Sequence, residues 1–185
     1  MATVDTPPHP SALTTLIQST NQTTPPTHTT DHHALALQVQ HNLHHQHHWT
    51  SLRLHTHSSL NPSSPLPRPI ISGLPPRRLY IHPDEQIDIL KEDARRKKAG
   101  LEKMEVLPQR EWVLPTQLNE KWSLRRMGGV FDGLGVVPPG EGGDGDGEGE
   151  GKWRMTKRVV MAVLEDDSTV VYYIVHDGLV KPRQN

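Results

Sequence analysis

The sequence predicts an α/β domain with a central mixed sheet and a C-terminal antiparallel hairpin. Two β-branched and apolar runs, RVVMAVL at 158–164 and TVVYYIV at 169–175, flank the polar segment EDDS. Such runs with a short polar turn predict a hairpin. Helical patterns precede and separate further short strands, which favours helices packed on a sheet. Only 33% of the 185 residues are hydrophobic, with 17 Pro and 14 Gly, so we expect parts of the chain to remain unfolded.

The N-terminal 30 residues are rich in Thr, Pro, Ser and Gln, a composition that predicts a disordered tail. Within this tail a short helix over residues 11–19 is compatible with Ser11 as its cap. We expect the folded domain to span residues 31–185. Asp31 is a good N-cap for its first helix, and apolar residues follow with partial helical spacing from Ala34 to Leu43.

The middle of the chain predicts two strands, a loop and a helix. Residues 49–54 alternate apolar and polar types, as in a half-buried strand. Three prolines within residues 61–67 predict a linker or long loop, and residues 77–81 predict a short strand. Pro83 begins a helix whose Ile87, Leu90 and Ala94 share one face. Basic residues at 95–98 and then Gly100 mark its end.

A further strand is predicted at 111–114, ended by Pro115, with a helix beginning at Pro115 or Thr116 and extending to Phe131. Gly128 and Gly129 weaken the end of that helix. Residues 136–151 form a Gly-rich acidic segment without a basic residue, which predicts a flexible insertion. The hairpin after it is almost continuously apolar. This pattern indicates burial on both faces, or one face in the core and the other against a partner.

Composition excludes several classes of protein. The net charge is −1 and the pI is near 6.9, which argues against a strongly basic nucleic-acid surface over the whole molecule. The chain has no cysteine, so disulfides and thiolate metal sites are absent. Neither a secretory signal nor a run of roughly 20 apolar residues is recognisable. We therefore expect a soluble intracellular protein that binds no membrane.

Histidines offer three candidate chemical sites, each with a simpler structural interpretation. A cluster at His41, His44, His45, His47 and His48 has i, i+4 spacings that suit a metal, but its surroundings indicate a composition-biased surface helix, and we predict neither a metal nor another cofactor.

His82 beside Tyr80 is a candidate general base, although an N-cap position is favoured. His176 and Asp177 suggest a dyad, but adjacent residues of a strand point to opposite faces, and Asp-Gly indicates a turn. Two basic groups, 95–98 and Arg125-Arg126, have the charge to contact RNA phosphates, and a solvated helix end explains them equally well.

Three blocks of the sequence together resemble one family. The first is PPRRLYIHPDEQ at 75–86, the second is REWVLPT at 110–116 with EKWSLRR at 120–126, and the third is DSTVVYYIVHDGLVKP at 167–182. Together they resemble the small, fifteen-kilodalton-type non-catalytic subunit of the eukaryotic tRNA-splicing endonuclease. The resemblance extends from about residue 35 to the C-terminus, excluding the acidic insertion.

The resemblance implies a small tRNA-endonuclease-like domain and a structural subunit without catalytic residues, in a heterotetramer that excises introns from pre-tRNA. Catalytic subunits of that enzyme use a Tyr/His/Lys triad, which is not recognisable here. The resemblance implies the catalytic and structural subunits as partners, pre-tRNA contacted only indirectly, and a nuclear location. An exposed edge strand in addition allows the isolated chain to pair with a second copy as a homodimer.

The resemblance also implies two interaction sites. The partner interface is the edge of the last strand, since unpaired backbone groups at a sheet edge recruit another strand. Its predicted members are Val170, Val171, Tyr172, Tyr173, Ile174, Val175 and His176. The preferred acidic docking loop is Glu165, Asp166 and Asp167, and the alternative is the segment from Glu141 to Glu150, whose ordering on docking costs more.

Two other functions remain open at this stage. One is a self-sufficient nuclease that uses His82 or His176. The other is a stand-alone RNA-binding module, for which the basic residues are scattered and the aromatic residues few.

Overall fold

A computed structural model describes residues 10–21, 29–140 and 153–178. Four helices and five strands are arranged along them. In chain order they are α1 (Ala12–Asn21), α2 (Thr29–His45), β1 (Thr50–His57), β2 (Pro65–Leu74), α3 (Pro83–Lys98), β3 (Glu111–Gln117), α4 (Leu124–Asp132), β4 (Arg158–Leu164) and β5 (Val170–His176). The predicted α/β class is confirmed.

The five strands form one mixed sheet in the order β1-β2-β3-β4-β5. Only β3 and β4 are parallel, and the other three neighbouring pairs are antiparallel. The predicted hairpin is therefore present as β4 and β5, joined by the predicted polar turn. No helix of the described residues is long and apolar enough to cross a membrane.

The core lies on both faces of the sheet because successive strand side chains point to opposite sides. Val113 of β3 packs on the α2 side with a cluster that includes Val39 and Leu43. Trp112 packs on the α4 side with a cluster that includes Phe131. The indole Nε1 of Trp112 donates to the carbonyl of Gly135 at 3.0 Å, so this buried side chain is hydrogen-bonded as well as packed.

The helix predictions near the N-terminus are partly confirmed. Ser11 does cap α1, since its Oγ accepts the Thr14 N–H at 3.1 Å. The rest of the predicted tail, residues 1–9 and 22–28, lies outside the described residues. Asp31 was wrongly predicted as an N-cap, because α2 begins two residues earlier and Asp31 lies in its first turn. A carboxylate there still complements the helix dipole.

Two predictions based on proline were wrong. Pro65 begins β2 instead of belonging to a loop, and β3 continues through Pro115 to Gln117. The β2–β3 ladder begins at the pair Ile71–Val113. The first part of β2, which contains its prolines, and the last part of β3, which contains Pro115, take no part in it. Continuing that register brings Pro69 opposite Pro115, where neither residue has an N–H to donate. The prolines therefore end one ladder, while β3 stays paired with β4 on its other side.

Two further boundaries differ from expectation. Residues 77–81 form no strand, and the short segment runs directly to His82, the N-cap of α3, whose Nδ1 accepts the Asp84 N–H at 3.2 Å. The helix expected from residue 115 begins instead at Leu124, where the Ser123 hydroxyl accepts the Arg126 N–H. At the end of α3, Gly100 has φ +69° and follows the C-cap Ala99, as in a Schellman motif.

Candidate partner interface

Strand β5 is one of the two edge strands of the sheet, and β1 is the other. It pairs with β4 over its whole length, from Val170 opposite Leu164 to His176 opposite Arg158. Among the residues that the structure describes, no strand pairs with its other side. One row of its backbone N–H and C=O groups is therefore available for another chain.

The hairpin register shows which backbone groups face outward. The Glu165 N–H donates to the Thr169 carbonyl at 2.9 Å, and the Asp177 N–H donates to the Lys157 carbonyl at 2.9 Å. Hydrogen-bonded and non-hydrogen-bonded pairs alternate along an antiparallel ladder, so the odd-numbered residues of β5 bond to β4. The even-numbered residues present their N–H and C=O groups to the free edge; these are Val170, Tyr172, Ile174 and His176.

The side chains of β5 are less buried than the sequence predicted. No residue of β5 is fully buried, and Val171, Tyr173 and Ile174 are 41%, 56% and 38% exposed. On the α2 side Val170 and Tyr172 pack against the core, and on the α4 side Val175 packs against the other core cluster. Of the two expectations for this strand, burial on both faces was wrong, because β5 lies at the margin of the sheet; one face in the core and the other against a partner stays a prediction.

An apolar groove of about 210 Å³ lies beside the exposed edge. Trp122, Met161, Val171 and Tyr173 contribute to it, together with Leu118. Leu118 is 57% exposed. Exposed apolar side chains grouped beside an unpaired strand are typical of a protein–protein contact surface.

The β4–β5 turn presents three carboxylates to solvent. Glu165, Asp166 and Asp167 are all exposed, and Ser168 adopts a left-handed conformation with φ +70°. The Asp167 carboxylate accepts the Thr169 N–H at 2.8 Å. This hydrogen bond and one from the Thr169 side chain lower the pKa of Asp167. The turn is thus a structured acidic tip, whereas the alternative segment from Glu141 to Glu150 lies outside the described residues.

The opposite edge of the sheet is built differently. The register of β1 against β2 shifts between Thr50 and Arg53 and again between His55 and His57. Ser51, inside the first irregularity, has φ +49°. Bulges and charged residues at an edge discourage pairing with another strand. The regular and apolar edge is therefore β5.

The candidate catalytic residues are brought near one another without forming a dyad. The rings of Tyr80 and His176 contact each other edge to face at 4.8 Å, and the Arg158 guanidinium lies 5.2 Å from the Tyr80 ring centre. Burial lowers the pKa of His176, the charges of Arg158 and His82 lower it further, and Glu111 opposes them.

His82 and Asp177 are engaged elsewhere. The Nδ1 of His82 caps α3, and the Asp177 backbone pairs with Lys157. The sequence did not predict the Tyr80–His176 contact, which joins the start of α3 to the end of β5.

The histidine cluster forms no metal site among the described residues. The His41 and His45 rings contact each other at 4.3 Å on α2, but the helix ends at His45. His44 and His48 therefore lose the helical spacing that a shared metal requires. His47 contacts the Tyr172 ring at 5.0 Å instead.

A polar centre around Glu120 was not predicted from the sequence. The Glu120 carboxylate accepts hydrogen bonds from Arg68, Arg126 and Thr116. Burial opposes its ionisation, yet these hydrogen bonds and the two arginine charges lower the pKa of Glu120 to about 2.

Both guanidinium groups also lie over the Trp122 ring, at 5.3 Å for Arg68 and 4.5 Å for Arg126. Arg126, considered for RNA contact, is therefore part of the fold beside the groove.

Comparison with known proteins agrees with the three sequence blocks. The family model described as Sen15 protein matches residues 38–185. The chain belongs to this family. A Neurospora crassa protein named probable tRNA-splicing endonuclease subunit tsp-1 is 44% identical over 158 residues, which are 82% of this chain and 66% of the relative.

Two other fungal relatives match shorter stretches. The Schizosaccharomyces pombe protein named probable tRNA-splicing endonuclease subunit sen15 is 32% identical over 75 residues, 40% of this chain and 50% of that protein. The Eremothecium gossypii protein named tRNA-splicing endonuclease subunit SEN15 is 62% identical over 29 residues, 16% of this chain and 25% of that protein. The matched part of this chain thus spans between a quarter and two thirds of the length of these relatives.

Proposed function

We propose that this chain is a non-catalytic structural subunit of a tRNA-splicing endonuclease, required for assembly of the complex that excises introns from pre-tRNA. The names of its relatives support the complex and the process. Its partners are the catalytic and structural subunits of a heterotetramer, it contacts pre-tRNA only indirectly, and it works in the nucleus. Without its partners the chain pairs with a second copy through the same edge.

The observation that carries this proposal is the free edge of β5. Four residues present backbone donors and acceptors outward, and the β-branched and aromatic side chains around them suit strand addition. Backbone hydrogen bonds give affinity to such an interface, and side chains that alternate above and below the strand give specificity. The groove formed by Trp122, Met161 and Tyr173 accepts an apolar side chain of the partner next to the added strand.

Proline scanning of the edge tests strand addition. The outward N–H of Ile174 is removed by Ile174→Pro, while the bonds of β5 to β4 use its odd-numbered neighbours. We expect co-expression with a catalytic subunit to give at least tenfold less complex for this variant. Ile174→Val, which keeps the N–H, is the matched control and should assemble normally. Normal assembly of a folded Ile174→Pro protein would refute the edge interface.

The acidic turn is proposed to act at a second contact, with the opposite pair of subunits. Replacing Glu165, Asp166 and Asp167 by Gln, Asn and Asn removes the charge but keeps the polar turn. The expected product is the pair formed through β5 without the full tetramer, as measured by native mass spectrometry. A complete tetramer from this variant would assign docking to another segment.

The Tyr80–His176 contact next to His82 favours one alternative, a nuclease acting alone. Purified chain incubated with an intron-containing pre-tRNA should leave the RNA uncut. Cleavage that disappears in both His82→Ala and His176→Ala would replace the structural proposal by the catalytic one. Measuring RNA affinity in the same samples tests the third alternative, because a stand-alone RNA-binding module would bind without any protein partner.

A further inference from the structure

Helix α3 carries its apolar stripe on the side that faces away from the protein. Ile87 and Leu90 are 49% and 60% exposed, and Ala94 is exposed as well. Their spacing of three and four residues places them on one face. The sequence predicted that these residues share one face, and in the structure that face is open to solvent.

Polar contacts hold the opposite side of α3 against the fold. Glu85 is 9% exposed and pairs with Arg78 at 2.9 Å. Further along, the Asp93 carboxylate accepts the Met104 N–H at 2.9 Å. A buried ion pair with hydrogen bonds fixes which side of a helix faces inward, because separating its charges is costly. The stripe is therefore presented to solvent by specific contacts on the other side.

Charges beside the stripe are separated along the helix. At 100° per residue, five charged residues follow one flank of the stripe. Acidic residues occupy its N-terminal half and basic residues its C-terminal half; in order they are Asp84, Asp88, Lys91, Arg95 and Lys98. The ion pairs that Asp88 and Arg95 make within the helix are 3.7 Å long and exposed, and such pairs contribute little.

We propose that the occupant of this stripe is α3 of a second copy of the chain, packed in the antiparallel direction. A helix that is acidic in its first half and basic in its second is complementary to itself only when the second copy is reversed. The two-fold axis then passes near Leu90 and Lys91. Ile87 of one copy faces Ala94 of the other, and Asp84 and Asp88 approach Lys98 and Arg95.

This interface is independent of the β5 edge. A chain whose β5 is occupied by its endonuclease partner still presents α3, so the helix can join two assembled complexes. The pairing is expected to be weak. Each helix has 16 residues, a length of about 24 Å, and the contact area stays below the roughly 1,200 Å² of stable complexes.

Sedimentation equilibrium measures the pairing directly. All variants carry Ile174→Pro, so that self-association through β5 does not contribute. We expect a concentration-dependent monomer–dimer equilibrium that Leu90→Glu weakens at least tenfold and that added salt also weakens. Leu124→Glu is the matched control, because Leu124 on α4 is 93% exposed, and it should leave the equilibrium unchanged. Circular dichroism confirms folding.

Cysteine cross-linking determines the direction of pairing, and the chain has no cysteine of its own. Ile87→Cys mixed with Ala94→Cys should give the mixed disulfide dimer under mild oxidation, in preference to either symmetric dimer. Symmetric dimers alone would indicate parallel helices and overturn the proposal. A monomer without cross-links would overturn it too, and would assign the stripe to another segment of this chain or to a different protein. Neither result bears on β5, which is tested by Ile174→Pro assembly with the partner.

Discussion

Arg158 of β4 and Glu111 of β3 are hydrogen-bonded across the parallel pair of strands, with Nε and Oε2 3.1 Å apart and both residues almost completely buried. Glu111 also accepts from Arg154 at 3.0 Å, and Gln109 accepts from Arg158 at 3.2 Å. One carboxylate thus pairs with two buried guanidinium groups. This centre ties the residues just before β4 to the middle of the sheet.

Removing the charge of Glu111 should destabilise the protein strongly. Glu111→Gln leaves two buried arginines without a counter-charge, and breaking such a pair costs about 3–5 kcal/mol. Urea unfolding followed by circular dichroism measures the loss. Glu105→Gln, at an exposed position, is the control and should change stability by less than about 0.5 kcal/mol. An equally stable Glu111→Gln protein would contradict the role of the centre.

Acid should destabilise the protein through Glu120. Its folded pKa of about 2 is below the unfolded value, so the unfolded state binds the proton first as the pH falls. The stabilisation is present above about pH 4.5 and is lost as the pH falls to about 2. A pKa shift of this size corresponds to about 3 kcal/mol, which solvent screening of the partly exposed ion pairs reduces to on the order of 2 kcal/mol. Glu120→Gln should be less stable at pH 7 and should show a flatter pH dependence across this window. A profile as steep as that of the unchanged protein would exclude Glu120 as the source.

Gly128 within α4 and Gly133, the residue that caps its C-terminal end, should respond oppositely to replacement by alanine. A Cβ at Gly128 meets no atom within 4 Å, and helix propensity favours Ala over Gly by up to about 1 kcal/mol. A Cβ at Gly133 would lie 2.5 Å from Cδ2 of Leu66, a buried neighbour, and overpacking costs about 1–3 kcal/mol. Thermal unfolding should place Gly128→Ala above and Gly133→Ala below the unchanged protein. The reverse order would show that α4 is packed differently.

Substitutions at the two adjacent tyrosines of β5 should affect different properties, folding stability for Tyr172 and partner binding for Tyr173. Burial raises the pKa of Tyr172, and its hydroxyl donates to Oδ1 of Asn42 at 2.6 Å. Tyr172→Phe should therefore lower stability by about 1 kcal/mol, as measured by urea unfolding. Tyr173 is exposed, so Tyr173→Ala should leave stability nearly unchanged and reduce capture of the partner. Equal effects of both substitutions on stability would place the two rings in similar environments.

The sequence predicted those elements whose signals are local. The hairpin of β4 and β5 follows from two β-branched runs and a polar turn, and the start of α3 follows from Pro83 with acidic residues after it. The predictions that Pro65 lies in a loop and that Pro115 ends a strand failed. A strand tolerates proline, which lacks an N–H, wherever no neighbouring strand would accept a hydrogen bond from that N–H. That condition depends on which strand lies opposite, and no local pattern contains this information.

The sequence also could not predict the buried polar centres around Glu111 and Glu120, or which side of α3 faces the rest of the protein. Glu111 is 47 residues from Arg158 along the chain, and each residue alone is typical of a surface. Helical spacing located the apolar face of α3 through Ile87 and Leu90, but the inward side was decided by Arg78 and Glu85. At the candidate interface, the sequence located the strand and the turn themselves, and their role in partner binding stays a prediction. The outward-facing residues required the hairpin register.

The irregularities of β1 limit how far the sheet can be extended. A sheet with two receptive edges would continue to recruit strands from further copies and grow into a fibre. Ser51 and the register shifts disrupt the β1 edge, so β5 is the edge of the described sheet that is suited to strand pairing. The proposed addition at β5 would then give a closed pair of defined stoichiometry, and a larger assembly would need contacts outside the backbone ladder.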